Sequence, residues 1–262
     1  MDGADFLFVR LLDDLEDRLA TVMRNFGQAL YIGPFGARVA DMLKRTGKAE
    51  HIECVGEDGT DDAALLELGL APDNPRFDLI VSLGALHETN DTPGILAQLR
   101  RALKPDGLLI VAMPGGDTLG ELRDSLLRAE LELGDGASPR VLPFMDVRAA
   151  GSLLQRAGFA LPVTDLDEVM VRYDTIIDLM MDLRAMGATN TLVERAKQTP
   201  PRQLFAAAHT HYASRHADAD ERLRATFCFI WMSGWAPDAS QPKPLKPGSA
   251  TVSLADALKA KK

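Results

Sequence analysis

Two cysteines in 262 residues, Cys54 and Cys228, are too few and too far apart for a disulfide framework or a cysteine-based metal centre. Both read as buried free thiols in strands. Basic residues are also in short supply, 29 Lys and Arg against 38 Asp and Glu, which leaves a net charge of −9. A general binder of nucleic acid needs a basic face for the phosphates, so that partner class is disfavoured. No apolar run reaches the roughly 18 residues that would cross a bilayer. The opening Met1-Asp2-Gly3-Ala4-Asp5 lacks the positive region of a secretory signal, and a cytoplasmic protein is expected. No internal repeat is present. What remains, 46% hydrophobic and 26% charged residues, is the composition of a globular chain with a large core. The length suits one enlarged α/β domain, or a core with an appended subdomain.

The stretch from Phe77 to Thr118 organises the rest. Phe77-Asp78-Leu79-Ile80-Val81-Ser82 is an apolar run of the kind buried on both faces of a parallel sheet, and it breaks at Leu83-Gly84. Ile95, Leu96, Leu99 and Leu103 then recur at helical spacing. Lys104-Pro105-Asp106-Gly107 reads as a turn, and Leu108–Met113 as a second buried strand. Strand, helix and strand with short joints make a right-handed crossover, and ligands in such sheets sit beyond the carboxyl ends of the strands. That places 83–91 and 114–118 around one mouth.

Before this stretch, Phe6, Leu7, Leu11, Leu15, Leu19 and Val22 form the apolar stripe of a helix over about 4–24, with Asp13, Asp14, Glu16 and Asp17 on its wet side. Ala29-Leu30-Tyr31-Ile32 is a first strand, Gly33-Pro34-Phe35-Gly36 a turn, and 37–44 the helix behind it. Glycines there would let the backbone meet a nucleotide at a helix N-terminus. A second strand, 51–55, brings Glu53 and Glu57 to where a carboxylate would accept ribose hydroxyls, and a bland acidic turn serves as well for Glu57. A short helix is expected over 62–70.

After Thr118, Leu119, Leu122, Leu126, Leu127 and Leu131 mark a long helix, and 134–144 is a breaker-rich loop of the kind that makes a lid. Helix 146–157 stops at Gly158, and 168–173 alternates like a strand. Helix 176–186 carries Met180, Met181 and Met186 as core filling, with a malleable docking face as the other reading. His209 and His211, two apart on a further helix, face different sides, and no structural metal is expected. Ala225–Trp235 is a strong β-former, expected to be the last strand, inserted antiparallel near one sheet edge. The proline-bearing tail should run extended to about Val252.

The wording of Phe77–Gly107 resembles the second half of a class I S-adenosylmethionine-dependent methyltransferase core. From Pro114 onward the chain resembles one methyltransferase-fold family, that of the mitochondrial complex I assembly factor of the arginine-hydroxylase type and its alphaproteobacterial relatives, the bacterial members being described as methyltransferases. The residues that carry this are Gly115-Gly116-Asp117-Thr118-Leu119 with Glu121-Leu122-Arg123, Ser138-Pro139-Arg140, Pro143-Phe144, Arg156-Ala157-Gly158-Phe159, Asp182–Gly187 with Asn190, Gly234-Trp235 and Gly248-Ser249-Ala250.

The resemblance implies a Rossmann-like, seven-stranded, mostly parallel sheet: an N-terminal helix (1–24), a core (25–173), a helical cap roofing the site (174–224), a last core strand (225–236) and a tail (237–262). It also implies an S-adenosylmethionine pocket lined by Gly33, Gly36, Glu57, Leu83 and Gly84, with His87, Glu88 and Asp117 facing the reaction. The glycine loop departs from the pattern at three positions. The acidic residue before the glycine loop is Tyr31, the middle glycine is Phe35, and the last is Ala37. A carboxylate would hold the cofactor's charged amino group and Tyr31 supplies no charge, so weak or partner-dependent binding is expected. Where the family has His-Trp after the fourth strand, this chain has His87-Glu88. Three functions follow: an enzyme acting on a protein, methylating or hydroxylating a complex I subunit; a cofactor-poor assembly chaperone or partner subunit; and a small-molecule carboxyl methyltransferase.

Overall fold

The structure is a computed structural model that describes residues 5–56, 75–134 and 136–242. The elements are α1 (Phe6–Thr21), β1 (Phe26–Ile32), α2 (Gly36–Arg45), β2 (Ala49–Val55), β3 (Phe77–Leu83), a 3₁₀ turn (Leu86–Glu88), α3 (Thr92–Ala102), β4 (Leu103–Pro114), α4 (Gly120–Leu133), α5 (Val147–Arg156), β5 (Ala160–Tyr173), α6 (Ile176–Ala185), α7 (Arg202–His216) and β6 (Leu223–Trp235). They build one sheet in the order β2-β1-β3-β4-β6-β5. Strands β1 to β4 pair in parallel, and β6 runs antiparallel between β4 and β5, as expected of the late β-former.

The period-2 geometry of a strand explains the two-layer core. Leu79, Val81 and Leu83 of β3 and Leu108, Ile110 and Ala112 of β4 face one cluster with α1, α2, α4, α6 and α7. Ile80 of β3 and Leu109, Val111 and Met113 of β4 face the other, with α3 and α5. Helix ends follow their sequence signals. Asp91 accepts from Gly94 N at 2.9 Å at the start of α3, and Thr175 with Asp178 makes a capping box on α6.

Four expectations are corrected. Among the described residues the sheet has six strands rather than seven, because the segment after Gly158 and the alternating run 168–173 are one strand, β5. It is an edge strand, and Pro162 sits at the register shift between Ala160 and Val163, where no ladder donor is needed. The turn read at Lys104–Gly107 is an irregularity inside β4, with Asp106 at φ 59°. Cys54 is exposed rather than buried, while Cys228 is buried, and neither forms a disulfide. Of the acids of α1, Asp13 and Asp17 are exposed as read, while Asp14 and Glu16 are only half-exposed, Glu16 pairing with Arg45 at 2.7 Å. The helix expected over 62–70, Glu57, and the tail beyond Pro242 lie outside the described residues. The tail's start is held to the body, where Gln241 Nε2 donates to Asp106 Oδ1 at 3.0 Å.

Candidate functional site

The parallel strands end side by side. Gly33 N donates to Val55 O at 2.9 Å, and Gly84 N to Ala112 O at 2.8 Å, so the tips of β1, β2, β3 and β4 meet in one row. Gly33 has φ +142°, and a Cβ there would lie 2.5 Å from Leu83 O and 2.9 Å from the Tyr31 hydroxyl. Backbone at that distance cannot give way. Gly33→Ala is therefore expected to cost about 2–3 kcal/mol by strain and overpacking, read as a lowered denaturant midpoint at unchanged slope. An unchanged midpoint would refute the fit described. At Gly84, φ +64°, an added Cβ would meet nothing within 4 Å, so that backbone fronts open space.

Tyr31 is fully buried in the cluster under α1 and α2, and its hydroxyl donates to Pro34 O at 2.7 Å. Burial pushes its phenol pKa well above the ordinary value, so it stays neutral. Phe35 stands at φ 58° just before α2 and turns onto α1, its ring 4.6 Å from that of Phe8. Arg38 lies 5.7 Å over the Phe35 ring and binds Asp5 at 2.6 Å. The turn is thus closed by its own side chains.

Beyond Gly84 the 3₁₀ turn carries His87 and Glu88 into a cavity of about 150 Å³. Its walls come from α1 (Leu7), the start of α4 (Leu119, Leu122), β6 (Phe227, Phe229) and the segments 140–144 and 186–191. Burial depresses His87 to about 4, and its Nδ1 has no hydrogen-bond partner. Its Nε2 is 3.9 Å from Glu88 Oε1. Glu88 is raised by burial. His87 is therefore a neutral imidazole at neutral pH.

The sign of the pH dependence follows. A folded pKa below the unfolded one favours the neutral ring, a contribution complete above pH 6.5 and lost as pH falls toward about 4. Acidification across that window is expected to remove on the order of 2–3 kcal/mol through His87. Stability profiles of the wild type and His87→Gln should diverge by this amount. Parallel profiles would show the ring to be solvated.

The loop over the cavity is pinned from two sides. Buried Glu130 of α4 accepts from Ser138 N at 2.8 Å and from Arg140 Nε at 2.7 Å. Asn190 Nδ2 donates to Pro139 O at 2.7 Å, and Ala196 N to Ser138 Oγ at 3.0 Å. At the floor, Thr118 Oγ1 shares its one proton between Gly115 O and Cys228 O, each at 2.8 Å, and accepts from Cys228 N at 3.0 Å, tying the end of β4 to β6. Gly115 passes over Ile230, whose Cδ1 would be 2.3 Å from an added Cβ. The family-type motifs around 115–123, 138–144 and 183–190 thus converge on one cavity.

A family profile described as "Methyltransferase domain" matches residues 23–162. The chain is 37% identical over 274 residues to the "Arginine-hydroxylase NDUFAF5, mitochondrial" of Danio rerio, covering 97% of this chain and 83% of that one. The chain belongs to this methyltransferase-fold family. It is also 38% identical over 165 residues to a malonyl-[acyl-carrier protein] O-methyltransferase of Xylella fastidiosa, covering 63% of this chain and 53% of that one. The fold is shared with the YcgJ protein of Bacillus subtilis, at TM-score 0.52 and 10% identity over 88% of this chain and 99% of that one.

Within this family member, Gly33, Leu83 and Gly84 lie at neighbouring strand tips, Gly36 opens α2 beyond the tip of β1, and His87 and Glu88 follow Gly84. Asp117 does not join them: it is exposed, and its neighbours Thr118 and Leu119 line the cavity instead. Glu53 is spent on Arg76, at 2.6 Å. Against S-adenosylmethionine the fit is divided. Bare backbone at Gly33 and Gly84 suits close approach, but the place of the acid is taken by a neutral tyrosine already bonded to Pro34. The residues the sequence did not single out are Glu130 and the Tyr31–Pro34 strut. Glu130 had a signal, because it extends the buried stripe of Leu122 and Leu126 at i+4 spacing. No helix among the described residues is long and apolar enough to cross a membrane, and none of their His, Cys, Asp and Glu side chains form a group able to hold a metal ion.

Proposed function

We propose that this chain modifies an arginine side chain of a partner protein, a respiratory complex I subunit, in the cavity under the 138–144 loop. The carrying observation is the make-up of that cavity, in a chain similar almost throughout to proteins named arginine-hydroxylases. Its walls are apolar, and its inner turn offers two acceptors: neutral His87 and the carboxylate of Glu88. An arginine stem lies well against Leu122, Phe144 and Phe229, while its planar guanidinium donates to such a pair. Arg140, the cation in the wall, is neutralised by Glu130 at 2.7 Å and so repels the guest little. His87 orients the guanidinium by accepting a hydrogen bond, and the apolar walls exclude water, which strengthens both contacts. Helices α6 and α7 act as the cap.

S-adenosylmethionine, where bound, supplies an activated methyl group; Gly33, Gly36, Leu83 and Gly84 would hold it. The closed turn at Tyr31 favours a second reading, in which the chain serves as an assembly chaperone or partner subunit without chemistry. The cytoplasmic placement stands as a proposal, to be checked by fractionation, while the arginine-hydroxylase relative is mitochondrial by name. The test is mass spectrometry of a complex I subunit incubated with the protein and S-adenosylmethionine, with dioxygen and a two-electron reductant added in a parallel arm because hydroxylation needs both. An added oxygen or methyl on arginine, lost in Glu88→Gln, supports the enzyme. Binding with no mass change supports the chaperone. Methyl transfer to a free small-molecule carboxylate alone overturns both.

A further inference from the structure

Outside the cavity, α4 presents a stripe that the core does not use. Arg123, Leu127 and Leu131 recur at i, i+4 and i+8, so they share one side of the helix, about 6 Å apart along its axis. Leu127 is 42% exposed and Leu131 62%, the latter one turn beyond the former. Arg123 makes no ion pair among the described residues; its guanidinium reaches only Thr118 O and Leu142 O, both at 3.3 Å. Facing Arg123 and Leu127 are Pro139, Val141 and Pro143 of the loop, and between them runs a groove of about 520 Å³, with Leu131 one turn further along α4, beyond the groove's lining. That volume is within the range of sites that hold a peptide-sized ligand. Arg140, Val141 and Phe144 line both the groove and the cavity, so one wall separates them.

We infer that this groove docks an extended segment of the protein substrate with the pattern acidic, arginine, apolar, any residue, apolar. In an extended chain alternate side chains point the same way and recur every 6.6 Å or so, which matches the steps of the helix stripe. The acidic residue meets Arg123, the two apolar ones meet Leu127 and Leu131, and the arginine between them points the other way, over the shared wall into the cavity. An unpaired cation on a chain of net charge −9 is a selective device: it accepts a carboxylate where most of the surface would repel one. Leu127 and Leu131 contribute apolar contact that exposed leucines make at little cost to the free protein. The inference rests on the arginine reading for what enters the cavity, and adds how the flanking residues are chosen.

Fluorescence anisotropy with labelled peptides tests it on the full chain. The probes carry Glu-Arg-Leu-Ser-Leu, Lys-Arg-Leu-Ser-Leu or Glu-Arg-Ser-Ser-Ser between serine-glycine flanks. The first is expected to bind about tenfold tighter than either of the others. Arg123→Ala should erase the difference between the Glu and Lys peptides. Leu127→Asp and Leu131→Asp should each weaken the first peptide about tenfold, with an unchanged unfolding transition because both side chains are exposed. Equal binding of the Glu and Lys peptides, no binding of any peptide, or variants that bind as the wild type would each overturn the inference. The two readings fail separately. If the groove binds as expected but no arginine is modified in the whole subunit, the enzyme falls and the groove stands. If arginine is modified with the same KM by Leu127→Asp, the groove falls and the enzyme stands.

Discussion

Glu130→Ala is expected to destabilise the protein by about 3 kcal/mol, a fall in Tm of roughly 6–12 °C for a chain of this size. Glu130 is buried on α4 and holds two different donors, the Ser138 amide and the Arg140 guanidinium. Removing it leaves a largely buried cation unpaired and an amide without its acceptor, the combination that makes breaking a buried pair costly. Glu130→Gln keeps a carbonyl for Ser138 and should cost about half as much. Arg140→Met in the Glu130→Ala background should recover stability, because the uncompensated charge is then gone. Calorimetric scans of the four proteins check the set. If the double variant is no more stable than Glu130→Ala, the loss lies in the loop's packing and not in the charge.

Tyr31→Asp combined with Phe35→Gly is expected to tighten S-adenosylmethionine binding ten- to a hundredfold over the wild type. The gain is that of one charge-assisted hydrogen bond, about 1.5–3 kcal/mol. Wild-type binding should be weak, on the order of 0.1 mM, because the tyrosine is neutral and its hydroxyl is engaged by Pro34. The outward turn of Phe35 onto Phe8 makes the charge at position 31 the larger part of the effect. Isothermal titration of the wild type, Tyr31→Asp and the double variant separates the two. Low-micromolar binding by the unmodified protein would mean that the backbone of Gly33 and Gly36 suffices without a carboxylate.

The sheet was legible in the sequence because its strands are buried on both faces, and unbroken apolar runs such as Phe77–Leu83 and Leu108–Met113 have few other uses. The continuity of β5 was not. An edge strand shows its charges, Asp165 and Asp167, to solvent and to the arginines of α1, so its middle reads as a loop. The site was legible in its motifs and not in its electrostatics. His87 loses its basicity to burial, with Phe144 among the distant residues that pack around it, and no local pattern announces that. Phe35 likewise depends on Phe8, supplied by a helix far back in the chain. Tyr31 was visible as a lost acid, but its bond to Pro34 needed coordinates.

The place of β6 in the sheet has a consequence for how the protein is made. Among the described residues the strand neighbour of β5 is β6 alone, and β4 completes its second edge with β6. On the ribosome β5 is therefore synthesised well before the strand it pairs with, and it waits while the whole stretch from Asp174 to Arg222 emerges. During that interval Leu161, Val163, Leu166 and Met170 border an unpaired strand on each side, the kind of surface that pairs with another nascent chain. Vectorial folding cannot finish this domain piece by piece. The nascent chain has to be sheltered until Leu223–Trp235 arrives, and a chain cut short before Leu223 would leave β4 with an open edge and β5 without a strand neighbour, in addition to the outer edge at β2.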